Sequence, residues 1–292
     1  MTRKIKFDII LTSKTNNRKE IKTMSSHLMG KNSKWFNENV AEDMDFLKAH
    51  EGIKAGGSDI FKPVLPSEIL TKFRDRANSL GLKLVNENMA LSKDGFKTMY
   101  VADIEGMSGD DYSLSCGWRC SSDRTRAFQG CMGTNCLICS NGLISGVIVP
   151  SKQKNTIGNY ERIGDKIDRI FERFINDKDI IHGQISLMKS TALTDDIVGK
   201  FVKAMAKTEI GKRYIIDIVN DLENPELNSH DDNSCYRLLN AGTYVTTHKI
   251  TNPLRGGDMS RLVNNTIMSI ISPNFSPLGD VVEVEDEVEV LD

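Results

Sequence analysis

Five of the six cysteines lie in one short stretch of the sequence, and their thiols are the side chains most suited to chemistry. The stretch has the spacing C-x3-C-x10-C-x4-C-x2-C, from Cys116 to Cys139. A zinc ion needs four tetrahedral ligands, usually supplied as two close pairs. Cys136 and Cys139 form such a pair, but Cys116 and Cys120 would lie too far apart on an extended strand to share one ion. The pattern therefore favours small buried thiols over a metal site or a redox pair.

No other set of side chains has the spacing of a catalytic motif. The histidines form no H-E-x-x-H pair, no G-x-S-x-G elbow occurs, and the glycine pairs at 56–57 and 256–257 lack the spacing of a phosphate-binding loop. A Ser/His/Asp arrangement assembled by the fold stays open. We therefore expect a binding protein rather than an enzyme, with no cofactor and no metal.

Three arginines beside the first two cysteines are candidate ligands for phosphate or carboxylate groups. Arg119, Arg124 and Arg126 lie in the run WRCSSDRTR, which is typical of a strand end followed by a turn. A guanidinium group binds such anions through paired hydrogen bonds. The alternative interpretation is a solvated turn whose arginines hold no ligand.

Charge is concentrated at the two ends of a sequence whose net charge is −2. Residues 1–34 carry nine Lys or Arg and two Asp or Glu, whereas residues 280–292 carry seven acidic residues and no basic ones. Such a distribution favours charged partners, among them nucleic acid. Two solvated termini would produce the same distribution.

The sequence contains no signal that directs it to a membrane or out of the cell. No run of about 18 apolar residues occurs, as a membrane span would need. The N-terminus lacks the long apolar stretch and the cleavage site of a signal peptide. We therefore expect reduced cysteines and a location in the cytoplasm.

After residue 65 the sequence has the pattern of a helix followed by a sheet. A helix is predicted to begin at Pro66, with Ser67 as its N-cap and Gly81 just past its end. A hairpin turn is predicted at Lys93-Asp94-Gly95. The predicted strands cover residues 82–91, 96–104, 112–120 and 136–149, the last interrupted at 140–142.

The second half is predicted to be mainly helical, because its apolar residues repeat at helical spacing. Thr194 is predicted to cap one of these helices. The apolar stripes lie in 159–175, 197–205, 209–222 and 259–271, and 223–233 is predicted to be a loop. The fold class is therefore α+β, an antiparallel sheet with a helix in the first half and a mainly helical second half.

Four regions follow from these patterns. They are an N-terminal arm with the start of the domain (1–65), an α/β sheet region (66–155), a helical region (156–279) and an acidic tail (280–292). The stripes at 159–175, 197–205 and 259–271 offer more apolar surface than one small sheet would cover. We therefore expect a homo-oligomer.

Two stretches, 115–142 and 233–248, resemble a family of phage- and plasmid-borne proteins whose biochemistry is not established. The family pattern is a strand ending in S-x-D-x-S/T-x-A-F, a strand closing on V-C-x-N, and a helix with L-x-N-A-x-T before a histidine. The sequence departs from it by its extra cysteines and at Gly242 and Tyr244. The matching residues are Ser122, Asp123, Thr125, Ala127, Phe128, Cys139, Asn141, Leu239, Asn240, Ala241, Thr243 and His248.

This resemblance implies an origin in a phage or another mobile element, and it carries over no catalytic residue. Its polar positions Asn141, Asn240, Thr243 and His248 are candidate binding residues. In length and in its lack of catalytic motifs the chain is also similar to phage inhibitors of the bacterial Gabija defence complex. The implied function is non-enzymatic inhibition of a host defence nuclease complex by an oligomer. The alternative is a single-stranded DNA-binding or annealing protein of phage recombination, and a metal-dependent nuclease fits least.

We expect protein purified without chelator to contain no stoichiometric zinc, because the cysteine spacing does not supply two close pairs. Elemental analysis measures this directly. One equivalent of zinc that is lost when Cys136 and Cys139 are both replaced by serine would contradict the prediction.

Overall fold

The computed structural model describes residues 35–36, 40–53, 62–109, 112–136, 148–153, 160, 162–224 and 233–276. The predicted loop at 223–233 lies mostly outside these residues. The basic segment 1–34 and the acidic tail 280–292 lie wholly outside them. The described part of the chain has the predicted α+β class, with an antiparallel sheet in the first half and mostly helices in the second.

Within the described residues the chain forms seven helices and five strands. None of these helices is long and apolar enough to cross a bilayer. The helices are Met44–His50 (α1), Pro66–Ser79 (α2), Ile163–Ser190 (α3), Asp195–Met205 (α4), Lys212–Glu223 (α5), Cys235–His248 (α6) and Pro253–Ile271 (α7). The strands are Leu84–Leu91 (β1), Lys97–Ser108 (β2), Tyr112–Ser121 (β3), Phe128–Cys136 (β4) and Ile148–Gln153 (β5).

The five strands form an antiparallel meander in the order β1-β2-β3-β4-β5. The predicted hairpin joins β1 and β2, and the backbone N–H of Gly95 donates to the carbonyl of Ser92 at 2.8 Å. Gly95 has a φ of +74°, and a Cβ there would lie 2.2 Å from the carbonyl oxygen of His50. Glycine is therefore required at this turn for two reasons, its backbone conformation and the close approach of helix α1.

Helix α2 begins at Pro66 as predicted, but the predicted N-cap was wrong. The N-cap is Leu65, and its side chain makes no capping bond. Ser67 lies inside the first turn, where both its hydroxyl and its backbone N–H donate to the carboxylate of Glu51. A side chain distant in sequence thus satisfies an amide that a local cap would otherwise satisfy. Gly81 has a φ of +70° just past the helix end, as predicted.

Most of the predicted strand at 136–149, residues 137–147, lies outside the described residues. At its two ends, strand β4 ends at Cys136 and strand β5 begins at Ile148. Strand β4 escaped prediction because its sequence FQGCMGTNC is glycine-rich and lacks a clear apolar alternation. Tertiary packing explains one of these glycines: a Cβ at Gly130 would lie 2.2 Å from Cγ1 of Ile170 on helix α3.

Helix α3 is much longer than the stripe predicted at 159–175. The predicted apolar face is buried, but it continues through Ile181, Ile185 and Met188. The sequence did not predict this continuation, because the mostly charged residues 176–179 and Gly183 interrupt the apolar pattern. The next prediction was correct, since the Thr194 side chain accepts a hydrogen bond from the N–H of Ile197 and caps α4.

One hydrophobic core joins the sheet to the helices of the second half. Phe73 of α2 packs against Phe171 of α3, with ring centroids 4.6 Å apart, and against Tyr100 of β2 at 5.5 Å. Tyr100 in turn stacks on Trp118 of β3 at 5.7 Å. The sheet region and the helical region therefore share their core, since aromatic side chains from both are packed in one cluster.

The apolar stripes at 159–175, 197–205 and 259–271 pack largely within the chain. Ile167, Phe201 and Ile267, one from each of these stripes, are at most 1% exposed. Partly buried members such as Ile197 and Leu262 pack against the same core. Oligomerisation stays a prediction, and the apolar stripes no longer support it.

We expect Gly242→Ala to destabilise the fold by about 1–3 kcal/mol, because the new methyl would overpack the contact between α6 and α7. A Cβ at Gly242 would lie 2.5 Å from Cγ1 of Val263. Urea denaturation monitored by circular dichroism measures the change.

The matched control is Gly183→Ala on α3, where a Cβ would meet nothing within 4 Å. This variant should gain up to about 1 kcal/mol, because alanine is the better helix former. Equal effects of the two substitutions would contradict the packing described for Gly242.

Candidate functional site

Arg119, a predicted anion ligand, is buried and bound to a carboxylate of the same chain. Its guanidinium donates to Oδ1 of Asp258 at 2.6 Å, to the carbonyl of Leu254 at 3.2 Å and to Oε1 of Gln129 at 2.9 Å. Asp258 and Leu254 lie at the start of helix α7, whereas Arg119 lies on strand β3. The side chain is 4% exposed, so the fold depends on this pairing to keep the charge in its interior.

Arg126 binds the second oxygen of the same carboxylate. Its guanidinium donates to Oδ2 of Asp258 at 3.2 Å, so one aspartate bridges two arginines. Arg124 is exposed in the turn between them and has a φ of +70°. The interpretation of a wholly solvated strand end was therefore wrong for Arg119. Arg119 and Arg126 are poorly placed to hold an external phosphate, because their carboxylate partner lies within the chain.

The start of helix α7 packs against the second face of the sheet. Leu254 belongs to a small apolar cluster with Trp35 and with Met99 and Val101 of strand β2. These residues lie on the face opposite the main core, since Tyr100 between them points to that core. The arginine–aspartate cluster therefore lies beside an apolar contact and joins helix α7 to the sheet.

The candidate residues on helix α6 have packing roles. Asn240 and Thr243 are buried, and the Thr243 hydroxyl donates to the carbonyl of Leu239 at 2.9 Å. His248 is half-buried at the end of the helix, with its ring centroid 4.6 Å from that of Tyr244. The remaining candidate, Asn141, lies outside the described residues. The structure thus does not place these helix residues in one open pocket with the arginines.

The three cysteines whose side chains the structure describes are buried, as the sequence suggested. Cys116 and Cys120 lie on the core face of strand β3, and Cys235 lies at the start of α6. Burial, with a further contribution from the charge of Glu51, raises the pKa of the Cys120 thiol to about 12. A neutral buried thiol is a poor nucleophile and a poor metal ligand.

Cys139 lies outside the described residues, as do the side chains of Cys131 and Cys136. Among the residues that the structure describes, no three metal-ligating side chains converge.

A narrow cleft beside the first turn of helix α3 gathers cationic and polar groups that sequence reasoning missed. Lys166 lies in its wall and is 4% exposed. The sequence pattern could have identified Lys166, because this residue falls on the same helical stripe as Ile163 and Ile170. The cleft, called here the lysine cleft, is lined by Lys62, Val64, Ile69, Cys120, Phe128, Tyr160, Ile163 and Lys166.

The pKa of Lys166 is lowered by its surroundings. Burial, followed by the charges of Arg162 and Arg169, lowers this pKa to about 8. The Lys62 ammonium lies 4.1 Å from the centroid of the Tyr160 ring.

A second surface feature is an uncharged strip on the C-terminal half of helix α3. Its central side chains, Ile180 and Leu187, are 48% and 37% exposed. They lie two turns apart on one face of the helix, with exposed Gly183 between them. The strip, called here the neutral strip, consists of Asn176, Ile180, Gly183, Gln184 and Leu187.

Comparison of the chain with protein-family models, with curated proteins and with solved structures gives no match. The resemblance to phage- and plasmid-borne proteins therefore stays a prediction. Part of that pattern forms the turn between β3 and β4 and the start of β4. Its residues there are Ser122, Asp123, Thr125, Ala127 and Phe128.

We expect Asp258→Ala to destabilise the protein by about 3 kcal/mol, because it leaves the Arg119 charge buried without its carboxylate. The control Arg126→Gln should cost less than about 1 kcal/mol, since that side chain is partly exposed. Chemical denaturation of both variants measures the difference. Similar losses in the two variants would contradict a structural role centred on Arg119.

Proposed function

We propose that this protein is a non-catalytic phage protein that binds a host protein through a surface that includes the neutral strip. The observation that carries the proposal is the exposed apolar pair Ile180 and Leu187 on helix α3. A mid-helix glycine costs about 1 kcal/mol relative to alanine, and nothing in the described part of the chain packs over Gly183. A partner surface that approaches the helix closely at this point would give that glycine a function.

The character of the strip favours a protein partner over a nucleic acid. Surfaces that bind nucleic acid present Lys and Arg to the phosphates, whereas the centres of protein interfaces are depleted in charge. None of the five residues of the neutral strip is ionisable. Arg119 and Arg126, which would have been natural phosphate ligands, are bound to Asp258.

The identity of the partner rests on the sequence. The resemblance to phage- and plasmid-borne proteins favours a phage origin. The length of the chain and its lack of catalytic motifs are similar to those of phage inhibitors of the Gabija complex, which makes this host defence nuclease complex the specific candidate. An inhibitor of this kind acts by covering surface, so it needs a large complementary interface rather than a reactive site. An assembly of several copies in the host cytoplasm would enlarge the covered area.

Single-stranded DNA binding or annealing is the second candidate. The observation that favours it is the basic segment 1–34, with nine Lys or Arg against two acidic residues. Binding of this kind would draw its affinity from phosphate neutralisation. It would therefore weaken steeply with salt, and the acidic tail at 280–292 would compete with DNA for the basic segment.

The test replaces both exposed apolar residues of the strip by lysine, as Ile180→Lys with Leu187→Lys. We expect the wild-type protein to restore plaque formation on cells that carry the Gabija complex and to co-purify with that complex. The double variant should lose both effects, because two buried charges would disrupt an apolar interface. The matched control is Ile216→Lys on helix α5, where the wild-type side chain is 59% exposed and lies outside the strip.

Two results would overturn the proposal. One is nanomolar binding of single-stranded DNA at physiological salt without any rescue of infection, which would favour the second candidate. The other is full rescue by the double variant, which would remove the strip from the interface. Circular dichroism of both variants checks that they are folded.

A further inference from the structure

The exposed face of helix α3 has the residue spacing of a helix that packs lengthwise against another helix. Asn176, Ile180, Gly183, Leu187 and Ser190 follow one another at intervals of four, three, four and three positions. All five are exposed to solvent. In coiled coils this alternation keeps one narrow seam of residues facing the partner helix. The face therefore presents a seam about 21 Å long, which corresponds to about four helical turns.

The centre of this seam is apolar and open. The side chains of Ile180 and Leu187 are 48% and 37% exposed. Between them, a Cβ at Gly183 would meet nothing of the described chain within 4 Å. Helices pack by placing the side chains of one into the grooves of the other. A large apolar side chain of a partner helix would therefore fit over the glycine, between the two exposed apolar residues.

The two flanks of the seam differ in charge. On one flank, Glu172 and Asp179 are exposed, and neither is paired with a cation of the described part of the chain. On the other flank, the charge of Arg173 is paired with Asp177, and Gln184 is neutral. Charges beside such a seam help to select the partner helix and its orientation. The acidic flank therefore favours a partner that carries Lys or Arg beside its apolar residues.

We propose that the neutral strip binds an amphipathic α-helix of the partner, with large apolar residues on its inner face and Lys or Arg on its flank. This inference rests on the proposed function, which places a partner on the strip, and it specifies the element that binds there. An extended peptide is a poorer ligand, because the mid-helix backbone of α3 has no free groups to pair with it. The same helix of a second copy is also poorer, because its flank is acidic rather than basic.

The experiment measures binding of synthetic helical peptides to the full-length protein, so it needs no host complex. One peptide of about five turns, held helical and monomeric by lactam bridges on its outer face, carries leucines at the four-three spacing with lysines beside them. A second peptide has glutamates in place of these lysines. Fluorescence anisotropy measures both. We expect saturable binding of the lysine peptide, and binding of the glutamate peptide that is weaker by about tenfold or more.

A pair of matched glycine variants locates the site on the protein. Gly183→Gln should weaken binding of the lysine peptide by about tenfold or more, because the new side chain occupies the space of the docked helix. The control is Gly199→Gln on helix α4, an exposed glycine where a Cβ also meets nothing of the described chain within 4 Å. It should leave binding unchanged. Glutamine is a good helix former, so both variants are expected to fold.

Reversal of the flank charges gives a second, independent readout. In the double variant Glu172→Lys with Asp179→Lys, the glutamate peptide should bind more tightly than the lysine peptide. The proposal is overturned if neither peptide binds the wild type saturably at about 0.1 mM, or if Gly183→Gln binds as the wild type does. Sedimentation that shows a wild-type dimer lost in Ile180→Lys with Leu187→Lys would assign the strip to a second copy and also overturn it.

The failure of this proposal can be distinguished from the failure of the proposed function. Peptide binding that depends on Gly183, without rescue of infection on cells that carry the Gabija complex, would leave the helix-binding strip standing and remove the proposed host partner. Rescue that depends on Ile180 and Leu187, without binding of either peptide, would leave the proposed function standing and overturn the helix as its ligand.

Discussion

The contact between helix α3 and the sheet is the constraint on which the other elements depend. Ile170 lies against the backbone of Gly130 on strand β4, so closely that any side chain at that position would collide with it. Phe171 on the next position packs on Phe73 of helix α2. The same helix also contacts α6 and α7. Its middle turns are thus buried by both halves of the chain, which explains why the two halves form one core.

The same helix carries residues whose side chains differ at its two ends. At the N-terminal end the buried stripe includes Lys166, which is 4% exposed and lies in the wall of the lysine cleft. At the C-terminal end the inner face is still apolar, but the outer face carries Ile180 and Leu187 in solvent. Packing against the core requires apolar residues only on the inner face of the helix. The exposed Ile180 and Leu187 therefore need a different explanation.

The buried charge of Arg119 helps to position helix α7 on the sheet. Arg119 extends from the sheet into a site that contains Asp258, Gln129 and a backbone carbonyl of α7, and all three accept hydrogen bonds from it. Such a cluster contributes less to stability than an apolar contact of equal size, but it tolerates little displacement of its members. It therefore defines where the start of α7 lies on the sheet. The neighbouring apolar cluster of Leu254, Met99 and Val101 provides the burial.

The sequence by itself determined the elements whose pattern is local. The helix from Pro66, the hairpin turn at Gly95 and the cap at Thr194 follow from backbone preferences and nearest neighbours, and all three are present. Only the tertiary structure decided strand β4, because Gly130 makes room for Ile170, 40 positions later in the chain. The same holds for the arginines of the predicted binding turn. Arginines of this spacing could bind phosphate, but Arg119 and Arg126 both bind Asp258, which lies more than 130 positions away in the sequence. Burial and pairing depend on residues that are distant in sequence, so no local pattern could assign those charges a partner.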